Sequence, residues 1–528
     1  MAEAGGGTSG TSRMGEAPIL AESGGGIPWS ERQMPPGAGV WFCAASLAVL
    51  VLVSSAVALT EYRVSDDFRL VGQIDFSAAL QYFHQTSGFG RNEYRPLVLL
   101  SFAWDNLWWG DRAFGYHLTN VLLHVANTVL LLLVFHRILG QILGQITGSL
   151  LPAFISAALF AFHPVHHSRI AWISARDSSL SLLFLLIAWL LYLSARGGDS
   201  HSEPKPGGIF APRWAKRAMS GGAFFLALLS YEGAAAFPFV LAAMEICLPP
   251  QPGSWSERIQ QAAWRTAPHF VVFVLYLGGW LILFGGSIGA YDLDLTVQGM
   301  LQNFYRLHYN VFYHIQRWLG LLYLLIGILV WRQRKAVGGP AGFACLVIWL
   351  GYLPFLPIQG FASRFAFFSS IGVALLLGLA GSGIRNGNTR ELRSSIVSTV
   401  LLLALVGYYA HFSGRRLREW VEAGRIAEAI PAQLKALRSS FPSNATLVFD
   451  QIPAMHRDAY VFVTGLRAAV RGKYPGAVSE IFYYSTAIEP SLREQLMQQK
   501  PAFHFRYVAD EERLMEVGGR EVLADANR

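Results

Sequence analysis

Charge is what this chain has least of. Asp, Glu, Lys and Arg make up 14% of its 528 residues, against about 25% in a soluble domain. That scarcity, with 53% hydrophobic residues and a mean hydropathy of +0.36, excludes a soluble globule and points to a multi-pass integral membrane protein. Cysteine is nearly absent too. Cys43, Cys247 and Cys345 each lie inside an apolar run, so neither a disulfide framework nor a paired-cysteine metal knuckle is available. No cofactor is indicated; a divalent metal is compatible with the sequence without being called for. No internal repeat is visible. The net charge of +8 comes from short basic clusters between apolar stretches: RWAKR (213–217), RQRK (332–335) and the run from Arg385 to Arg393. Such spacing follows the positive-inside rule rather than a nucleic-acid surface. Membrane lipid is therefore an expected partner and nucleic acid is not.

What is present is a succession of apolar runs. Residues 1–39 are rich in Gly, Ser and Pro and read as a disordered tail. No cleavable signal is expected, because the first apolar span begins near Val40 and is too long for a signal core. A spanning helix needs about 20 apolar residues. On that criterion about eleven spans are expected, near 40–60, 116–137, 148–163, 171–195, 218–231, 233–249, 266–286, 318–332, 340–358, 365–382 and 395–412. Placing the basic clusters inside puts the N-terminus in the cytoplasm, and an odd span count puts the C-terminus outside. The segments 61–115 and 296–317 are aromatic and interrupted, and read as interfacial helices. After Ser413 the composition turns soluble. NATLVFDQIP, AYVFVTGL, SEIFYYST and FHFRYVADE read as strands or short buried segments. The expected organisation is mostly α: a tail at 1–39, a membrane unit at 40–412 and an extracytoplasmic α/β domain at 413–528.

Polar residues stand out against this background. Asp66 and Asp67, in YRVSDDF, follow the first span directly. They are either a solvated loop or a desolvated carboxylate able to act as general base, held ionised by nearby arginines; Asp75 is a second acid or a loop residue. FHPVHHSRIAWISARDSSLSLL (162–183) sets a polar knot between two apolar stretches. His163 and His166 share a helical face, either as ligands or as partners of exposed carbonyls. Arg176 and Asp177 fall one turn inside an apolar helix, where ionisable groups are costly and often functional; the alternative is a structural pair with each other. His117, Asn120 and His124, in HLTNVLLH, form a stripe facing protein or a cavity. Glu232 lies at a turn in LLSYEGAAAFPF. Arg364 in GFASRFAFF and Arg95 in NEYRPL are placed either to snorkel or to clamp a phosphate.

In order along the chain, DDF, YRPLVLLSF, GYHLTNVLLH, FHPVHHSRIAWISARDSSLSLLFLL, SYEGAAAFPFVL and ASRFAFFSSIG resemble the membrane half of the transmembrane-and-tetratricopeptide-repeat O-mannosyltransferases and their bacterial relatives, within the GT-C glycosyltransferase superfamily. The likeness covers roughly residues 40–412. It implies an inverting glycosyltransferase of hexosyl or mannosyl type, a polyprenyl-phosphate-linked sugar as donor, and a protein or glycan acceptor. It also implies catalysis on the extracytoplasmic face of a membrane, for a bacterial relative the inner membrane. By motif, Asp67 and then Asp66 match the base. Arg176, Arg364, His163, His166 and Arg95 match the donor-phosphate side, and Glu232, His117, Asn120 and Asp177 complete the pocket. This sequence has Ser168 where relatives often carry Glu, Tyr231 for Lys, and Ser363–Arg364–Phe365 for Glu-Arg-Tyr; the tetratricopeptide repeats give way to the α/β tail. A lipid-linked-sugar flippase or transporter is the alternative, and it predicts inverted repeats and paired broken helices. A membrane scaffold displaying the soluble domain is a third.

Overall fold

The computed structural model describes residues 38–84, 93–143, 150–196, 212–248, 253–284, 293–312, 327, 334–359, 362–381, 389–498 and 501–517. With no water in the bilayer core, an apolar segment must satisfy its own backbone polar groups, and the helix is the local solution. Five described helices meet the length and hydropathy that spanning requires: α1 (Ala38–Ser55, extended by a 3-10 turn to Ala58), α5 (Ala113–Leu143), α8 (Arg176–Arg196), α11 (Trp255–Phe284) and α15 (Thr389–Leu437). A sixth is formed if α6 (Leu150–Ala161) and α7 (His167–Ala171), bent by 46°, are one broken span.

Eleven spans is therefore more than these helices support. The expected span at 318–332 lies outside the described residues, apart from Gly327. Four others are shorter than the criterion: α9 (Arg213–Leu228), α10 (Phe237–Cys247), α13 (Arg334–Tyr352), whose apolar part begins at Gly339, and α14 (Ser369–Gly381). Three of the four, α10, α13 and α14, share a boundary feature with α6 and α8. Helices α6, α8, α10, α13 and α14 each abut a 3-10 turn: Pro164–His166, Ile173–Ala175, Glu232–Ala236, Leu353–Phe355 and Ser363–Ala366. These turns pack on one another, 232–236 against 353–355 and 164–166 against 363–366. Because the helices alternate in direction, the turns gather at one end of the bundle. The basic residues Arg137, Arg196, Arg213, Lys216 and Arg217 gather at the other.

The interfacial elements are short. α2 (Asp67–Leu70), α3 (Phe76–Gln81) and α4 (Pro96–Trp109) follow α1, and α12 (Val297–Val311) is amphipathic. α4 leaves Trp104, Leu107 and Trp108 exposed, and α12 exposes Val297, Leu301 and Tyr305, as expected of helices lying in the lipid headgroup region.

Helix α15 runs for 49 residues. It passes position 413 without a break, so the expected domain boundary there falls inside a helix rather than at a linker. Beyond it stands a four-stranded sheet in the order β4-β1-β5-β6. The strands are β1 (Ala445–Asp450), β4 (Val478–Tyr483), β5 (Ala502–Val508) and β6 (Arg513–Glu516). β1 is parallel to β4 and β5, and β6 is antiparallel to β5. Helices α16 (Leu466–Lys473) and α17 (Pro490–Met497) make the crossovers. The all-buried run of β1 fits a central parallel strand covered on both faces. AYVFVTGL does not extend the sheet. It supplies β3 (Ala459–Tyr460), which pairs with β2 (Met455–His456) in a short hairpin, and then a loop. The soluble unit is docked: Tyr62, Val64, Phe68 and Trp172 of the membrane half share one buried cluster with Leu447, Phe449 and Phe462.

Candidate active site

The segment Trp172–Asp177 is where the polar side chains meet. It leaves α7, makes one 3-10 turn and enters α8, so its backbone amides and carbonyls are not consumed by a helix. Around the start of α8 stand three arginines. Arg95, the residue before α4, grips Glu232 with both Nε (3.0 Å) and Nη2 (2.6 Å). Its Nη1 reaches Asp177 at 2.6 Å and Glu93 at 3.2 Å. Arg169 donates from Nη1 to the other Asp177 oxygen at 2.7 Å and to the Ala175 carbonyl at 3.2 Å. Arg364, opening the turn before α14, donates to the Tyr460 hydroxyl at 2.8 Å and lies 5.7 Å over the Trp172 ring. It is close enough to Asp177 to interact electrostatically. Arg95 and Arg169 both face the Tyr231 ring, at 4.8 and 6.0 Å. Asp177 thus pairs with Arg95 and Arg169, not with its neighbour Arg176.

Asp67 approaches the same segment from the other side. Its carboxylate is fully enclosed; Oδ1 accepts from the Ser174 amide at 2.9 Å and Oδ2 from the Val64 amide at 3.1 Å. Burial pushes the carboxyl up to about 8; the Val64 and Ser174 amides work against that rise and the charge of Asp66 adds to it. This corrects the expectation that arginines hold Asp67 ionised. Its stabilising contacts are backbone amides, and desolvation outweighs them. Asp66 points elsewhere, bonding to the Thr464 hydroxyl of the soluble unit. Asp75 caps α3 through the Ala78 amide at 2.7 Å, which is the loop-residue alternative.

Several expected site residues lie inside the protein with partners of their own. Arg176, expected on a phosphate, is 0% exposed. It pairs with Asp105 at 2.6 Å and donates to Asn120 Oδ1 at 2.8 Å and the Tyr116 carbonyl at 3.0 Å. Its charge is matched within the bundle, so its place is structural. Of the two histidines, His163 takes the carbonyl-partner role and His166 meets a hydroxyl instead. His163 Nε2 sits 2.8 Å from the Val311 carbonyl and its Nδ1 accepts from the Val165 amide at 3.2 Å. His166 Nε2 meets the Ser370 hydroxyl at 3.0 Å. The stripe on α5 does the same: His117 meets the Tyr62 carbonyl at 3.0 Å, Asn120 the Trp172 carbonyl at 3.1 Å and His124 the Ala161 carbonyl at 2.9 Å. Each of those carbonyls belongs to an interruption between helices, where backbone groups lack intrahelical partners. The polar stripe fastens the breaks that shape the site. Among the described residues no group of three or more His, Cys, Asp or Glu side chains is placed to hold a metal ion.

Arg169, Asp105, Trp172 and Tyr460 carry much of this arrangement without having been singled out in the sequence. A signal existed for Asp105: it is a lone carboxylate in RPLVLLSFAWDNLWW, where an unpaired charge would be costly. Tyr460 carried none, because its neighbours are 288 and 96 residues away, at Trp172 and Arg364.

No protein-family model matches the chain. Part of the chain is similar to curated O-mannosyltransferases. Protein O-mannosyl-transferase TMTC1 of Mus musculus is 36% identical over 99 residues, 19% of this chain and 10% of that protein. TMTC2 of Mus musculus is 36% identical over 115 residues, 21% and 13%, and human TMTC4 is 34% identical over 116 residues, 21% and 16%. The match spans only about a tenth to a sixth of those relatives' length. Over about a fifth of this chain, the resemblance read from the motifs is confirmed. Among solved structures, the oligosaccharyltransferase of Archaeoglobus fulgidus tethered with an acceptor peptide aligns with a TM-score of 0.48 at 11% identity, covering 89% of this chain and 69% of that one. ArnT from Cupriavidus metallidurans bound to undecaprenyl phosphate aligns with a TM-score of 0.45 at 13% identity, covering 90% and 94%.

Proposed function

We propose that this protein is an integral-membrane glycosyltransferase that moves a sugar from a polyprenyl-phosphate donor to an extracytoplasmic protein or glycan acceptor, with inversion at the anomeric carbon. The observation that carries the reading is the convergence on Trp172–Asp177 of Arg95, Arg169 and Arg364 from one side and Asp67 from the other. The partial similarity to O-mannosyltransferases supports it, and makes a mannosyl or related hexosyl donor the first to try.

The roles follow from the chemistry. A lipid phosphate leaves with negative charge, which preorganised guanidinium groups at a water-poor boundary stabilise as it develops. Arg364 is the foremost candidate, with the Arg95–Arg169 pair behind it holding Asp177 and Glu232. Asp67 is the base. As the anomeric carbon becomes oxocarbenium-like, the acceptor oxygen forms its bond to that carbon from the face opposite the phosphate and its proton passes to Asp67. A carboxyl whose pKa stands near 8 holds that proton well, and efficient general-base catalysis places the pKa near the working pH. Asp67 is fully enclosed, so acceptor entry requires the 61–68 turn to open.

The test is direct. The purified full-length protein is mixed with a panel of defined polyprenyl-phosphate sugars and candidate acceptors, and donor consumption is followed by mass spectrometry. Consumption of one donor with release of polyprenyl phosphate supports transfer. A donor that binds and crosses vesicle bilayers but is never consumed favours the flippase and removes the transferase reading.

A further inference from the structure

The loop that follows β1 reaches out of the soluble unit and touches both sides of the candidate site. Tyr460, in the β2–β3 hairpin, meets the Arg364 guanidinium through its hydroxyl at 2.8 Å. The Tyr460 ring is held edge-on to Trp172 (4.9 Å between centroids) and against Trp420 of α15 (5.7 Å). Trp420 stacks on Trp172 at 5.9 Å and donates from Nε1 to His167 Nδ1 at 2.9 Å. Four residues on, Thr464 bonds to Asp66 and lies 3.1 Å from the Ser65 hydroxyl. The Ser65 amide donates to the Val461 carbonyl at 2.8 Å, and Phe462 stacks on Phe68 at 5.6 Å. Gly465 closes the contact in a left-handed conformation, φ +88°, so near that an added Cβ would stand 1.8 Å from the Ser65 carbonyl oxygen.

An exposed tail that merely decorated the membrane half would not be built this way. Its first hairpin and loop bind the turn carrying Asp67 and the arginine across from it. In this closed arrangement they therefore tie the turn that carries Asp67 to Arg364. We propose that residues 460–465 act as a clamp across the site and that Tyr460 is a positioning residue for Arg364, holding its guanidinium toward the phosphate of a lipid donor. This inference rests on the reading of Arg364 as a phosphate ligand.

Two variants and their combination test it in the full-length protein in detergent, with polyprenyl phosphate alone as the probe. Tyr460→Phe keeps the aromatic packing and removes one hydrogen bond. It is expected to weaken polyprenyl phosphate binding about 10-fold and to raise KM for the donor with little change in kcat, at an unchanged melting temperature. Arg364→Ala is expected to weaken binding more, and the double variant no further than Arg364→Ala alone, because the hydroxyl acts through the arginine. Tyr460→Ala should melt earlier and so serves only as the control for packing. If Tyr460→Phe binds the probe as wild type does while Arg364→Ala does not, the positioning role is overturned and the phosphate ligand stands. If Arg364→Ala itself binds normally, the phosphate reading falls and the clamp falls with it.

Discussion

Arg176 and Arg364 are the same residue type in opposite situations. Arg176 is wholly enclosed with Asp105, Asn120 and the Tyr116 carbonyl around it. Arg364 is half-buried over the Trp172 ring with a tyrosine hydroxyl on its guanidinium. Their variants should therefore fail differently. Breaking the enclosed pair by Asp105→Ala strands a buried charge and is expected to cost about 3–5 kcal/mol, visible as early thermal unfolding in detergent. Arg364→Ala should melt within a degree or two of wild type and lose donor binding instead. Asp67 gives a pH signature. Burial raises its carboxyl from the ordinary 3.8 to about 8, so the folded protein holds a proton that the unfolded chain has already released. Stability is therefore expected to fall as pH rises between roughly 4 and 8, by at most about 1.4 kcal/mol per unit. Asp67→Asn should flatten that slope. If Asp67 is the base, transfer rises with pH through about 8, and Asp67→Asn lowers it about 10²–10⁴-fold with the fold intact. A wild-type rate that is flat from pH 6 to 9 would remove Asp67 from the mechanism.

At the scale of elements, the sequence was most readable where a pattern repeats and least where a pattern stops. The apolar runs of α1, α5, α8, α11 and α15 announce themselves by composition. The short helices do not, because 3-10 turns at Glu232–Ala236, Leu353–Phe355 and Ser363–Ala366 bound them within sequence that stays largely apolar. Residues singled out by charge in an oily context, such as Asp67, Asp177, Glu232 and Arg364, do gather at one end. Their individual partners were not legible: nothing local to SARDSS says that Arg176 turns to α4 and Asp177 to Arg95. AYVFVTGL is β-prone, and of its two readings the short buried segment holds beyond Tyr460: Val461 and Phe462 are buried in a loop spent on docking. That docking offers its own check. Gly465→Ala places a methyl group against the Ser65 carbonyl at a positive φ, and is expected to loosen residues 451–465, seen as new protease cleavage there while the helices remain intact.

For the molecule as a whole, the separation of charges sets the topology. The candidate site and the sheet share one end, and the basic residues of α9 share the other with Arg137 and Arg196. On the positive-inside rule we propose that the basic end faces the cytoplasm. Reporters fused after Lys216 and after Ser440 are expected to report inside and outside respectively; two reporters on the same side would contradict the fold as well as the orientation.

The clamp on Ser65 also bears on how the protein is made. Ser65 and Thr464 are 399 positions apart in the chain, so at about 5–20 residues per second their meeting waits on the order of 20–80 s after Ser65 leaves the ribosome. During that interval most of the apolar helices can already enter the bilayer, while the 61–68 turn and Arg364 lack the residues that tie them together. If the proposed clamp holds, the 61–68 turn and Arg364 stay untied until residues 460–465 have been made.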